Sequence, residues 1–234
     1  MAQAFSPSII SLKSIVIQAP NTVTLNLDAW FPFKPGQAVQ LAFPGDTKPR
    51  FYSICSSPTE TGFVSVTVKW PANHVLGTIL PGLKAGDPIG VQGPFGSFGL
   101  PEPLEGPLCF LAAGSGITPI RSMLKYAQDK RIQAEKWLFY SVRTPADELF
   151  GSEFEAWERS DHSFHRIVTL TGGADDGEWR GERGRLSERL LRKYWPDSHG
   201  HFFLCGPPAF VTDMEHLLSG PLNVPPARIR REQW

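Results

Sequence analysis

Pro101-Glu102-Pro103-Leu104-Glu105-Gly106-Pro107 cuts the chain into two textures. Each proline fixes φ and lacks an N–H, so the segment suits neither a helix interior nor a central strand. Upstream, apolar and polar residues alternate. Val64, Val66 and Val68 face one way and Ser65, Thr67 and Lys69 the other, the period of a half-buried strand. Similar runs predict strands at Ser8 to Gln18, Thr22 to Asp28, Ala38 to Phe43, Phe51 to Cys55, Phe63 to Trp70 and Pro88 to Gln92. Pro35-Gly36, Pro44-Gly45, Pro81-Gly82 and Ala85-Gly86-Asp87 punctuate them as turns. About six short strands with tight turns predict a small antiparallel β-barrel.

Downstream, strands alternate with helices. Strands are predicted at Leu108 to Ala112, Lys136 to Ser141, Phe164 to Leu170, His201 to Cys205 and Arg228 to Arg231. Helices are predicted at Pro119 to Asp129, Phe150 to Glu158, Leu186 to Tyr194 and Ala209 to Leu218. That alternation predicts an α/β domain, a parallel sheet covered on both faces. The expected domains are 1–104, a β-barrel, and 105–234, an α/β sheet.

Composition narrows the function. Lys+Arg and Asp+Glu are both 23 in 234 residues, so no basic excess argues for nonspecific nucleic-acid binding. Cys55, Cys109 and Cys205 are too dispersed for a disulfide framework or a Cys-x-x-Cys metal site, so a reduced, cytoplasmic setting is expected. No signal peptide or membrane insertion is expected. His199 and His201 are too few for a metal site, and no metal is expected.

Arg50-Phe51-Tyr52-Ser53 places a cation, a flat phenol and a hydroxyl on one predicted strand. The period of two sets Arg50 and Tyr52 on one face, Phe51 and Ser53 on the other. A planar guanidinium suits phosphate, a phenol ring suits a flavin face, and a hydroxyl suits a ring nitrogen. Ala112-Ala113-Gly114-Ser115-Gly116-Ile117-Thr118-Pro119 follows a strand and opens a helix. Gly114 and Gly116 let backbone N–H groups approach a pyrophosphate at a positive helix end, with Thr118 the expected N-cap and Pro119 the first helical residue.

These segments resemble the ferredoxin-NADP reductase superfamily, whose Arg-x-Tyr-Ser/Thr is matched by Arg50, Tyr52 and Ser53. The resemblance extends through Val68-Lys69-Trp70, a strand end, and Val75-Leu76-Gly77-Thr78, the turn whose backbone binds flavin pyrophosphate. The family often has serine where Gly77 stands. Gly93-Pro94-Phe95-Gly96-Ser97-Phe98 resembles its Gly-Pro-x-Gly-x-Phe, and Gly114-Ser115-Gly116-Ile117-Thr118-Pro119 part of its Gly-Gly-Thr-Gly-Ile-Thr-Pro. Tyr140-Ser141-Val142-Arg143-Thr144, Trp179 to Arg185, and Cys205-Gly206-Pro207 have counterparts too. No acidic residue is seen at the strand end before Arg143 to select a ribose hydroxyl.

The resemblance implies a barrel holding FAD, rather than FMN, and a sheet holding NADPH or NADH. Arg50, Phe51, Tyr52, Ser53, Val68, Lys69, Gly77 and Thr78 would bind flavin, with Trp234 as a stacking lid. Gly114, Ser115, Gly116, Thr118, Arg143, Arg185, Cys205, Gly206 and Pro207 would bind the nicotinamide nucleotide. Ser53, Cys205 and Glu232 would flank the reacting rings. Electrons would pass to a protein acceptor: ferredoxin, flavodoxin or an oxygenase component. No cysteine cluster for a fused iron–sulfur domain is present, so the acceptor centre is expected on another polypeptide. The alternatives are an electron-transfer subunit of a larger complex, a flavin reductase using free flavin, and a binding module without redox activity.

Overall fold

The computed structural model describes residues 6–172, 179–195 and 199–233. Contacts group residues up to Gly99 with Arg121–Lys130 as one unit, and Leu100–Ile120 with residues from Arg131 onward as another.

In the first unit the strands are β1 (Ser8–Ala19), β2 (Thr22–Leu27), β3 (Ala38–Phe43), β4 (Asp46–Ser53), β5 (Val64–Lys69) and β6 (Pro88–Phe95), with a one-turn helix α1 (Leu76–Ile79) between β5 and β6. Their order is β4-β3-β6-β1-β2-β5. Every pairing is antiparallel. The two end strands meet through one bridge, Ile54 to Val66, and the Cys55 N–H donates to Ser65 O at 2.8 Å. This seam closes the expected barrel. Leu12, Leu25, Leu27, Val39, Leu41 and Val66 fill it and are all but inaccessible. Each such side chain contributes about 1.5–3 kcal/mol through burial.

The predicted strand limits hold within a few residues, with one larger departure. β4 starts at Asp46, not Phe51. Pro49 sits inside it because β4 forms a ladder with β3 alone, so its other edge needs no N–H. Two side chains of the 121–130 segment secure the seam. Arg121 Nη1 donates to Cys55 O at 2.6 Å and Ser122 Oγ to Ser56 O at 2.6 Å.

The second unit has strands β7 (Leu108–Ala113), β8 (Lys136–Val142), β9 (Phe164–Leu170), β10 (Glu182–Arg183), β11 (His201–Gly206) and β12 (Ile229–Gln233). Its helices are α2 (Ile117–Asp129), whose residues from Arg121 group with the first unit, α3 (Gly151–Ser160), α4 (Glu188–Tyr194) and α5 (Pro208–Ser219). The order is β10-β9-β8-β7-β11-β12, parallel throughout. Cys109 and Leu111 of β7 and Phe202 and Leu204 of β11 pack with Leu190 of α4 and Val211 of α5. Their alternates, Phe110 and Phe203, stack at 4.9 Å on the other face. Both faces are therefore apolar, as a covered parallel sheet requires. Buried Lys136 starts β8 and spends its ammonium on Ala134 O at 2.8 Å, Ser163 Oγ at 2.6 Å and the Asp161 carboxylate at 3.3 Å.

Candidate functional site

In the barrel, β3 brings two motifs together. Ala38 pairs with Ser53 on one side and with Phe95 on the other. Phe51, largely exposed, meets the Phe95 ring edge-on at 5.5 Å. Tyr52 pairs with Val39 and Arg50 with Leu41, so both lie on the face opposite Phe51, as the strand period predicts. Tyr52 packs against the barrel core and meets Phe43 edge-on at 6.1 Å. Burial raises its phenol pKa to about 12, so it is neutral at physiological pH. Ser53 is buried.

Arg50 Nη1 donates to Asp46 Oδ2 at 2.6 Å and to Lys48 O at 3.1 Å. The bond from Arg50 holds the Asp46 carboxyl below its ordinary pKa. Val68 is buried at the end of β5 and Lys69 exposed. The Gly77 and Thr78 turn was expected to offer N–H groups to phosphate. It closes on itself instead: Gly77 N–H donates to His74 O at 2.8 Å and Thr78 N–H to Val75 O at 3.1 Å. Thr78 Oγ1 also donates to Val75 O, at 2.7 Å. The reason is helical geometry, since i→i+3 bonds consume these donors within one turn.

In the second unit the strand order reverses between β7 and β11, and ligands of such sheets lie beyond the strands' carboxyl ends at that switch point. Gly114–Gly116 follow β7 there as a 3-10 turn running straight into α2. The first N–H used inside the turn is that of Ile117, which leaves the preceding amides at a positive helix end. Gly114 has φ +54° with open space beside it, room for a bound group. At Gly116 a Cβ would fall on the Cys205 carbonyl, so this glycine is needed for close packing. The helix begins at Ile117, so Thr118 is not the N-cap. It is buried one residue inside, donating Oγ1–H to Ser115 O at 2.9 Å. The 3-10 turn displaces the helix start by leading in without an extended capping residue.

Cys205 is fully buried one residue before the end of β11, and Gly206, the last residue of the strand, leads through Pro207 into α5. Burial, with the Glu232 charge adding to it, pushes the thiol well above its usual pKa. Cys205 is thus a neutral thiol, unsuited to nucleophilic attack. Glu232 is its register partner on β12. Arg143 and Arg185 are exposed just past β8 and β10, on the same carboxyl edge as Gly114 and Cys205. Trp234 lies outside the described residues.

Two features escaped the sequence reading. Tyr140 is buried, and its hydroxyl donates to Gly114 O at 3.0 Å and accepts from Leu149 N–H at 3.4 Å. It ties the glycine turn to the loop after β8, and only the pairing of Tyr140 with Ala112 across the sheet reveals this. An acidic group also stands near that strand end: Asp147 Oδ2 accepts from the Thr144 hydroxyl at 2.8 Å, folding back through a capping box. The Thr-x-x-Asp spacing was its sequence signal.

A barrel with a cation, phenol and hydroxyl on β4, and a parallel sheet with a glycine turn at its switch point, define a two-cofactor oxidoreductase. The residues fit both groups, since open space at Gly114 and the Arg50 fork suit phosphates. Family models agree: residues 12–99 match the oxidoreductase FAD-binding domain and residues 110–216 the oxidoreductase NAD-binding domain. The chain belongs to the ferredoxin-NADP reductase-like oxidoreductases.

It is 34% identical over 195 residues to the glycine betaine monooxygenase reductase subunit of Pseudomonas aeruginosa, covering 81% of this chain and 53% of that one. It is 29% identical over 213 residues to ferredoxin–NADP reductase B of Sorangium cellulosum, covering 87% and 86%. The crystal structure of the Amycolatopsis cytochrome P450 reductase GcoB superposes with a TM-score of 0.83 at 27% identity, covering 97% and 71%. The chain spans about half the length of the first of these relatives. Among the described residues no helix is long and apolar enough to cross a membrane.

Proposed function

We propose that this chain passes electrons from NADH or NADPH through FAD to a redox protein: a ferredoxin, a flavodoxin or an oxygenase component. The observation that carries the reading is the meeting of Gly114–Gly116 with Cys205 at the β7/β11 switch point, in a chain whose barrel bears Arg50, Tyr52 and Ser53. When bound, the nicotinamide supplies a hydride and the flavin accepts it. The protein supplies orientation and electrostatics. Arg50 binds phosphate by exchanging Asp46 for it. Tyr52 offers a neutral ring face, and Ser53 holds a proton toward the flavin's reactive nitrogen. The amides before Ile117 and the cations of Arg143 and Arg185 bind the nicotinamide nucleotide. Cys205 borders its ring as an uncharged surface, with Glu232 beside it.

The matched segments leave the junction within residues 100–109, which supports domains of 1–104 and 105–234. Three buried cysteines, all present as thiols, support a cytoplasmic setting. The second reading is a subunit of a larger complex, favoured by the betaine relative being itself named a subunit.

Purified protein tests this directly. It is expected to be yellow and to bleach anaerobically on adding NADH or NADPH, the faster of the two defining the donor. A colourless protein that binds no flavin refutes the proposal, and one that only turns over added free flavin makes it a flavin reductase. Copurification in a stable assembly selects the subunit reading.

A further inference from the structure

Gly77 is not required by its backbone. It lies inside α1 without a left-handed φ, where glycine costs about 1 kcal/mol relative to alanine. Its neighbour favours it instead. A Cβ there would stand 3.2 Å from Trp70 Nε1 and 3.3 Å from Trp70 Cδ1, so the pyrrole edge of the indole rests on this residue. Trp70 directly follows β5, and its ring packs against the barrel core. The indole N–H is a donor only, so an anion or another acceptor is its natural partner.

His74 Nδ1 accepts from Leu76 N–H at 3.2 Å, which places the ring proton on Nε2 and makes a second donor in this turn. On β4 the bond from Arg50 holds the Asp46 carboxyl in its charged form. Trp70 and His74 thus flank the Gly77 turn, and Asp46 is an anion already paired with Arg50 on β4. The Gly77 and Thr78 amides and the Thr78 hydroxyl are spent within the turn.

We infer that the Trp70 indole N–H, seated on Gly77, donates to the FAD pyrophosphate in place of the side-chain hydroxyl that Gly77 lacks. The inference rests on the first unit being an FAD-binding domain. A bond to a charged phosphate oxygen is stronger than one between neutral groups. The pair is reciprocal: the indole can approach because residue 77 has no side chain, and residue 77 needs none because the indole brings the donor.

Trp70→Phe keeps an aromatic ring on Gly77 and removes the N–H. Flavin is stripped from the protein, and affinity for FAD and for riboflavin, which has the ring but no phosphate, is measured by fluorescence titration. FAD binding is expected to weaken about tenfold or more, with riboflavin binding unchanged. Gly77→Ala, which pushes the intact indole away, should show the same selective loss. Trp70→Ala with Gly77→Ser opens the space and supplies a hydroxyl, and should recover FAD affinity relative to Trp70→Ala alone. Parent-like FAD affinity in Trp70→Phe, or equal losses for both flavins, overturns the inference while leaving the FAD domain intact. A parent protein that binds neither flavin overturns both.

Discussion

Ser53 and Cys205 are both buried but carry different expectations. Ser53→Ala removes one hydroxyl and little volume. Flavin content should persist while stopped-flow reduction by the nicotinamide slows at least about tenfold, the scale of one lost bond to a charge-developing atom. Unchanged reduction kinetics would remove Ser53 from the reaction. Cys55, Cys109 and Cys205 are at most 1% exposed, and burial raises the thiol pKa of Cys109 and Cys205 well above the usual value. A thiol-disulfide reagent should find no fast-reacting group at pH 8 in the native protein and all three after denaturation. A rapid native reaction would contradict the burial. The Arg50 to Ser53 chemistry was legible because the strand period alone sorts those side chains. The Trp70 contact with Gly77 was not, because seven positions of sequence do not say that an indole edge has turned onto a glycine.

At the scale of elements, the strands and helices were readable from period and punctuation. The missed pieces were short or locally paired: α1 is one turn, β10 has two residues, and the first half of β4 is polar with Pro49 inside. None buries enough apolar surface to print a period. The glycine turn before α2 was legible as a phosphate cradle, but its two glycines proved unequal. Gly116→Ala drives a methyl into the Cys205 carbonyl and should destabilise the protein by about 3 kcal/mol or more. Gly114→Ala meets no atom but holds φ at +54°, and should cost about 1–2 kcal/mol while weakening nicotinamide binding. Urea unfolding and nucleotide titration check both. Equal stability losses would mean the close approach at Gly116 relaxes.

For the whole molecule, acid is the relevant stress. Bonds from Arg50 lower the Asp46 pKa, and bonds from Lys193 and Tyr194 lower that of Glu182. At Asp161 burial pulls upward, but the Ser163 and Lys136 interactions prevail and lower it. A carboxyl whose folded pKa lies below its unfolded one binds fewer protons when folded. Its stabilisation is present above the ordinary carboxylate range and is lost as pH falls through the folded value. Glu148 has the opposite sign, raised by burial against the pull of Arg166, and offsets one of the three. The melting temperature should be level between about pH 6 and 8 and fall below about pH 4. A midpoint that rises on acidification would refute the balance.

The barrel seam has a consequence in time. β2 and β5 share six paired positions, whereas β4 and β5 meet at a single bridge and lean on the side chains of Arg121 and Ser122. Breaking so few bonds exposes the local amides without unfolding the barrel, so the Cys55 N–H should exchange with deuterium before those of β2. Ser122→Ala, which deletes one clamp worth about 1 kcal/mol, should quicken that exchange roughly fivefold and leave the β2 clock unchanged.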